Sequence, residues 1–206
     1  MRRVFCVPMM ALLLLLAACA GSGTGEAETV DLRQRYHDMT GCTMEAVVTC
    51  GQEGLEWEAL LRCEYAPDGE STVEVLEPES IAGVRAMLSG SDWQIEYEDA
   101  CLNAGALSSE EISPAVCLPR LMSALRDGWL LEENREEWNE TPCLRLSVDQ
   151  SGLQDGKIVS TVWLRQEDGT PLRGEVAVDG EIILTADFTS FAFCDTIEPA
   201  GESGAA

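Results

Sequence analysis

Basic residues and histidine are scarce in this chain. Its 206 residues include 13 Lys and Arg against 37 Asp and Glu, with one histidine, and the formal net charge is −24. A surface with such an excess of negative charge repels nucleic acid and anionic lipid headgroups. We therefore expect no nucleic-acid partner.

Motifs for catalysis and metal binding are also missing from the sequence. No G-x-S-x-G surrounds a serine, and no C-x-x-C pair is present. The single histidine, His37, stands next to Asp38 in a pair that is far more often a surface neighbourhood than a catalytic dyad. We expect a protein that is not an enzyme and that holds neither a metal nor a cofactor.

Cysteine is unusually frequent, and its count is odd. Apart from Cys6 and Cys19 near the N-terminus, the seven cysteines are Cys42, Cys50, Cys63, Cys101, Cys117, Cys143 and Cys194. At most three disulfides can form among seven cysteines. Several of them fall on positions that we expect in the core, where a thiol behaves as a small apolar group. We expect mostly buried thiols with one or two disulfides, and the pairing stays open.

The only long apolar run lies at the N-terminus. Arg2 and Arg3 precede the almost purely apolar segment Val7–Leu16, and a flexible segment, Ala20–Gly25, follows. The apolar core is shorter than the roughly 20 residues that span a bilayer as a helix, and the layout is that of a secretory signal peptide.

The apolar run ends in Leu16-Ala17-Ala18-Cys19, which resembles the lipobox of bacterial lipoproteins. The resemblance implies transfer of diacylglycerol to the Cys19 thiol, cleavage after Ala18 and acylation of the new amine. It divides the chain into a signal peptide (residues 1–18) and a lipidated N-terminus with its spacer (residues 19–26). It also implies an extracytoplasmic protein that is anchored to the cell membrane by lipid. The alternative is an ordinary secretory signal that contains a cysteine.

Two amphipathic helices are predicted. Ala27–Met39 carries Leu32, Tyr36 and Met39 at helical spacing. The second helix has Ser113 as its N-cap, Pro114 at its first position and Gly128 just past its end. One face of this second helix carries the apolar residues Val116, Cys117, Leu121, Ala124 and Leu125.

Most of the remaining chain predicts antiparallel strands joined by tight turns. Residues 55–65 alternate between apolar and polar, and a three-residue loop closed by Asp68-Gly69 would pair Cys63 with Val73 and Leu61 with Val75. Three-residue loops at Asp168-Gly169 and Asp179-Gly180 follow from the same argument, and Gly69, Gly169 and Gly180 should then have positive φ. The pairs expected from the last two loops and from a two-residue loop at Gly90-Ser91 are Leu164–Leu172, Val162–Gly174, Val176–Ile182, Gly174–Leu184, Leu88–Trp93, Ala86–Ile95 and Val84–Tyr97.

These hairpins predict an α+β fold with one apolar sheet face. A meandering antiparallel sheet of about nine or ten strands must twist, and the two helices are available to cover its apolar side. The order of elements, including the stretch Val73–Gly83 in which a strand ends near a proline and turns back, resembles the LolA/LppX-type superfamily of lipoprotein carriers and lipid-binding lipoproteins. The length of the chain suits a single domain over residues 27–198, with a flexible tail over 199–206. The resemblance implies a curved half-barrel with the helices on its concave side.

Two functions are compatible with this fold. The first is a non-catalytic binder of an apolar ligand such as a lipid or lipopeptide, and the second is an interaction lipoprotein with a filled core and an acidic surface for another envelope protein. Both need the same apolar sheet face, and a filled or narrow space under the helices is slightly favoured. The residues that we expect at a ligand are Trp57, Leu61, Trp93, Leu121 and Leu125.

Overall fold

The computed structural model describes residues 32–51, 56–89, 92–98, 100–106, 113–151 and 157–194. The predicted signal peptide, Cys19, the spacer, residues 27–31 of the first predicted helix, the Gly90-Ser91 loop and the C-terminal tail lie outside these residues. Within them, no helix has both the length and the apolar character needed to cross a membrane.

The described elements are two helices and eleven strands. Helix α1 covers residues 32–38, and helix α2 covers Pro114–Asp127. The strands are β1 (Cys42–Cys50), β2 (Trp57–Tyr65), β3 (Glu70–Glu77), β4 (Arg85–Ser89), β5 (Asp92–Tyr97), β6 (Ala100–Ala106), β7 (Trp129–Trp138), β8 (Thr141–Asp149), β9 (Ile158–Arg165), β10 (Pro171–Val178) and β11 (Glu181–Phe193).

All eleven strands belong to one antiparallel sheet. Their order is β6-β5-β4-β3-β2-β1-β11-β10-β9-β8-β7, with β6 and β7 at the two ends. The first and last strands of the described chain, β1 and β11, therefore pair in the middle of the sheet. This is an open antiparallel sheet with two helices, as the sequence predicts, with more strands than the nine or ten expected.

The side-chain alternation in β1 shows why one sheet face is apolar. Every second residue is buried, and the buried set is Cys42, Met44, Ala46, Val48 and Cys50. Successive side chains of a strand point to opposite faces, so this set lies on one side of the sheet. The same set joins the hydrophobic core together with side chains of α2.

Helix α2 begins and ends where the sequence predicts. Ser113 is its N-cap, Pro114 is at its start and Gly128 follows its last residue. All five residues of the predicted apolar face are buried, and Leu118, Pro119 and Met122 are buried as well. The buried surface of the helix is therefore wider than the single apolar face that the spacing predicts.

Helix α1 is fixed by its polar side chains. The Tyr36 hydroxyl donates to the Gly169 carbonyl at 2.7 Å, and Arg35 donates to the Asp168 carbonyl at 2.6 Å. The Tyr36 ring is fully buried and lies 5.2 Å from the Phe193 ring. These contacts attach α1 to the β9–β10 turn and to the end of β11.

The first predicted hairpin has the expected register but a different turn. Cys63 pairs with Val73 and Leu61 with Val75, as predicted. Gly69 does not have positive φ, which corrects the prediction for this glycine. Its N–H donates to the Ala66 carbonyl at 3.3 Å, which places glycine in the last position of an ordinary β-turn, where a left-handed conformation is not needed.

The hairpin at Asp179-Gly180 differs from its prediction. Both residues have positive φ, 51° and 89°, as a two-residue type I′ turn requires. Val178 therefore pairs with Glu181. A bulge follows, so the predicted pairs Val176–Ile182 and Gly174–Leu184 are wrong. The observed pairs are Val176–Leu184 and Gly174–Ala186.

The hairpin at Asp168-Gly169 is one residue longer than predicted. Gly169 has the expected positive φ of 68°, but the backbone N–H of Arg165 donates to the Thr170 carbonyl at 2.8 Å, which leaves a four-residue loop. Leu164 consequently pairs with Pro171 instead of Leu172, and a bulge at Leu172 restores the predicted Val162–Gly174 pair. The pairs Leu88–Trp93 and Ala86–Ile95 are as predicted, whereas Val84 precedes β4 and lies outside its paired register.

All seven cysteines of the predicted domain are free thiols, so the one or two expected disulfides are not formed. Five of them are buried, and only Cys101 and Cys194 are exposed. The buried ones occupy inward positions such as Cys42 and Cys63, where a thiol packs as a small apolar group.

Candidate functional site

An apolar cavity of about 270 Å³ lies between strands β2 to β5 and the first turn of α2. It is formed by inward-facing strand residues, by the link between β3 and β4, and by the start of the helix. The lining residues are Trp57, Ala59, Leu61, Val73, Val75, Ile81, Val84, Ala86, Trp93, Ile95, Ser113, Pro114 and Ala115.

The register of four neighbouring strands creates this cavity. Val73 pairs with Ala86, and Ala86 pairs with Ile95, so these side chains form one row across the sheet. Alanine at positions 59 and 86 leaves space in the middle of the lining, which larger side chains would fill. The indole rings of Trp57 and Trp93 add broad apolar walls that are only partly buried.

The lining of this cavity favours a hydrocarbon ligand. The described lining includes no charged side chain, and its polar groups are the Ser113 hydroxyl and the two indole N–H groups. The Ser113 hydroxyl makes no hydrogen bond that caps its helix. Ile81 is 45% exposed, which places it where the cavity meets solvent. Apolar walls with few polar groups are typical of pockets that bind apolar ligands.

Three of the five predicted ligand residues lie together in this cavity. Trp57, Leu61 and Trp93 belong to its lining. Leu121 and Leu125 do not: both are fully buried in the core beneath α2.

The predicted site omitted the β3–β4 link and the first turn of the helix. Ile81 and Val84 come from the link, and Pro114 and Ala115 come from the helix. The helix start was marked in the sequence by its proline, but no spacing rule indicated that this turn would face the β2–β5 strands.

The middle of α2 packs closely on the sheet. A Cβ atom on Gly174 would overlap Leu121, and just past the end of the helix a Cβ atom on Gly128 would overlap Val148. Glycine at position 174 thus lets the helix approach β10 closely. The region of α2 around Leu121 and Leu125, together with β10, is called the sealed region below.

The buried thiols have low reactivity. Burial raises the pKa of Cys117 to about 12 and that of Cys42 to about 12. The thiolate is the reactive form of cysteine, and it is almost absent near neutral pH when the pKa is so high. These cysteines therefore pack in the core and are not suited to act as nucleophiles.

Two other tryptophans lie outside the cavity, in a cluster with arginines. The Trp138 and Trp163 rings are 5.6 Å apart, and Arg173 lies 4.9 Å from the centre of the Trp138 ring. Arg173 also forms ion pairs with Glu175 at 3.0 Å and with Asp187 at 2.9 Å. The charges and rings of this cluster contact each other, so it is a packed surface and not an open site.

No group of three or more His, Cys, Asp or Glu side chains in the described residues could hold a metal ion. The densest acidic segment, with Glu132, Glu133, Glu136 and Glu137, lies on the end strand β7.

Comparisons with known proteins return matches in solved structures only. No protein-family model matches this chain, and no curated protein matches it. Solved structures that are similar include LprF from Mycobacterium bovis, with 14% identity, 87% of this chain, 99% of that chain and a TM-score of 0.48. A LolA superfamily protein from Nitrosomonas europaea has 10% identity over 85% of this chain and 96% of that chain, with a TM-score of 0.45. The lipoprotein LppX from Mycobacterium tuberculosis has 11% identity over 81% of this chain and 92% of that chain, with a TM-score of 0.42. Likeness at these values assigns neither a ligand nor a function to this chain.

Proposed function

We propose that this protein is a membrane-anchored extracytoplasmic lipoprotein that binds an apolar ligand, such as a lipid or lipopeptide, without catalysis. The observation that supports the proposal is the apolar cavity of about 270 Å³ between β2–β5 and the start of α2. The anchor is the lipid expected on Cys19.

An energetic argument favours an occupant for this cavity. Apolar surface that stays in contact with water costs about 25 cal/mol per Å² relative to buried surface. The rings of Trp57 and Trp93 are partly exposed in the lining. A hydrocarbon ligand would remove this surface from water, and the absence of charged groups in the described lining means that no charge would lose its hydration.

The test of ligand binding is the lipid content of the purified protein. We expect native mass spectrometry of the wild-type protein to detect a bound lipid that solvent extraction removes. Ala86→Phe would place a ring in the cavity and should reduce the bound fraction at least tenfold. Ala177→Phe is the matched control, because Ala177 is only partly buried and is not part of the lining. Wild-type protein without lipid, or equal lipid in the two variants, would contradict the proposal.

The anchor has a separate test. Cys19→Ala should leave an uncleaved precursor that incorporates no labelled fatty acid, because the acceptor thiol is gone. Normal incorporation of label by this variant would show that Cys19 is not the lipidated residue.

The alternative is an interaction lipoprotein, and one surface feature favours it. Trp129 is 77% exposed and Leu131 is 44% exposed on β7, the strand with the acidic segment. A large exposed aromatic residue is typical of protein contact sites. This alternative would be supported if the wild-type protein carried no lipid and bound an envelope protein that the Trp129→Ala variant no longer bound.

A further inference from the structure

The shape of the cavity limits what it can hold. Its lining crosses four adjacent strands, from Leu61 on β2 through Val75 on β3 and Ala86 on β4 to Ile95 on β5. Neighbouring strands are about 4.8 Å apart, so the cavity is roughly 14 Å long across the sheet.

The cavity is also narrow. A volume of about 270 Å³ over a length of roughly 14 Å leaves a narrow space, which suits one hydrocarbon chain rather than two side by side. The total volume is larger than the ~150 Å³ protein cavity that holds one benzene molecule and lies just below the ~300 Å³ at which drug-sized ligand pockets begin.

We propose that the cavity selects a single unbranched hydrocarbon chain and leaves the head group of the amphiphile outside. This inference rests on the proposed function and defines its ligand class. No charged side chain of the described residues lines the cavity, so a charged head group would find no partner there. Recognition then depends on the length and branching of the chain.

The sealed region prevents the cavity from widening under the rest of α2. Leu121 already contacts the sheet so closely that Gly174 has no space for a Cβ atom. Leu125 is fully buried beside it. A second chain could enter under this part of the helix only if the packing separated, and close-packed interiors resist such movement.

The decisive experiment compares two isomeric alcohols. The probes are 1-nonanol, whose terminal hydroxyl leaves one nine-carbon chain free to enter, and its isomer 5-nonanol, whose hydroxyl is on the middle carbon. With the hydroxyl outside the cavity, 5-nonanol would have to insert two butyl arms side by side. Both are titrated calorimetrically into the mature chain, residues 19–206, produced without acylation and stripped of lipid. We expect 1-nonanol to bind at least tenfold more tightly than 5-nonanol. Equal affinity, or tighter binding of 5-nonanol, would overturn the proposal.

Chain length gives a second measurement. From 1-hexanol upwards, each added methylene should tighten binding about fourfold, the factor that corresponds to about 0.8 kcal/mol per buried CH₂, until the cavity is filled. In Ala86→Phe the affinity should stop rising at a shorter chain length than in wild type. In Ala177→Phe it should stop rising at the same chain length as in wild type. If the affinity stopped rising at the same chain length in all three proteins, the alcohol would bind outside this cavity, which would contradict the inference.

The outcomes separate this inference from the proposed function. If the purified protein carries lipid but the two nonanols bind equally, the selection of a single chain is wrong and lipid binding stands. If lipid is retained and neither alcohol binds, the chain alone is not what the protein recognises, and the inference is again wrong. If the protein holds no lipid and binds neither alcohol, both proposals fail.

Discussion

The cavity and the sealed region lie against the same sheet, but α2 fills only one of them. In the sealed region Leu121 and Leu125 are fully buried, and Gly174 allows close contact between helix and strand. The cavity, by contrast, is lined by only the first turn of the helix. Inward apolar residues occur in both regions, so hydrophobic pattern alone does not distinguish a binding site from a core. The difference comes from which part of the helix faces each strand.

The largest expected effect is in the sealed region. Leu125→Ala removes a fully buried side chain from close packing and should lower the free energy of unfolding by about 2–5 kcal/mol. Leu61→Ala in the cavity wall is the comparison, and it should cost less because part of Leu61 already borders empty space. Denaturant unfolding of lipid-free protein measures both. A larger loss in Leu61→Ala than in Leu125→Ala would reverse the assignment of the two regions.

The next effect tests the close contact of α2 with β10. Gly174→Ala adds a methyl group where Leu121 already lies and should cost about 1–3 kcal/mol through overpacking. Gly51→Ala is the matched control, since a Cβ atom there meets nothing within 4 Å and the change should stay within about 0.5 kcal/mol. If thermal unfolding gave the same small change in both variants, the helix would not be tightly held at Gly174.

Burial of Cys117 in the sealed region predicts a dependence on pH. The pKa is raised from 9.0 to about 12 because burial disfavours the thiolate. The unfolded chain therefore loses this proton first, and stability should fall as pH rises from about 9 to 12. At pH 10 the loss from this thiol should be about 1 kcal/mol relative to pH 8.

Cys117→Ala provides the control for this pH effect. The variant should lose less stability than wild type between pH 8 and pH 10, and urea unfolding at the two pH values measures the difference. Parallel pH curves for the two proteins would show that the Cys117 thiol is not protected in the folded state.

The sequence predicted the architecture better than the details of its turns. Clean alternation in β2 and β3 determined the Cys63–Val73 pair, because a slip of one residue would have placed apolar groups on the wrong face. The register near Asp179-Gly180 was wrong because aspartate adopted positive φ as well and shortened the loop. The local sequence is compatible with a two-residue and with a three-residue loop. The packing of the sheet, with its bulge in β11, determines that the two-residue loop forms.

The candidate site could be predicted in part for a related reason. Trp57, Leu61 and Trp93 were recognised from their place on the apolar face, and they line the cavity. Leu121 and Leu125 share an apolar face with Cys117, but helical spacing indicates only that a residue is buried and not what covers it. Whether a buried helix residue lies in the core or at the cavity depends on the strand that it contacts. Gly174 allows Leu121 to pack closely on β10, and this contact is known only from the folded structure. Ligand contact by the three lining residues stays a prediction.

The smallest expected effect is the most specific test of the comparison. Ala86→Leu adds three carbons at a position that borders the cavity, so the new atoms have space and the free energy of unfolding should change by less than about 1 kcal/mol. Ala186→Leu makes the same change at a fully buried position paired with Gly174, against which Leu121 already packs, and should cost about 1–3 kcal/mol. Binding of 1-nonanol should weaken in Ala86→Leu although its stability is kept, whereas folded Ala186→Leu should still bind. A stability loss at Ala86 equal to that at Ala186 would mean that the cavity is closed in solution, and the distinction between the two regions would disappear.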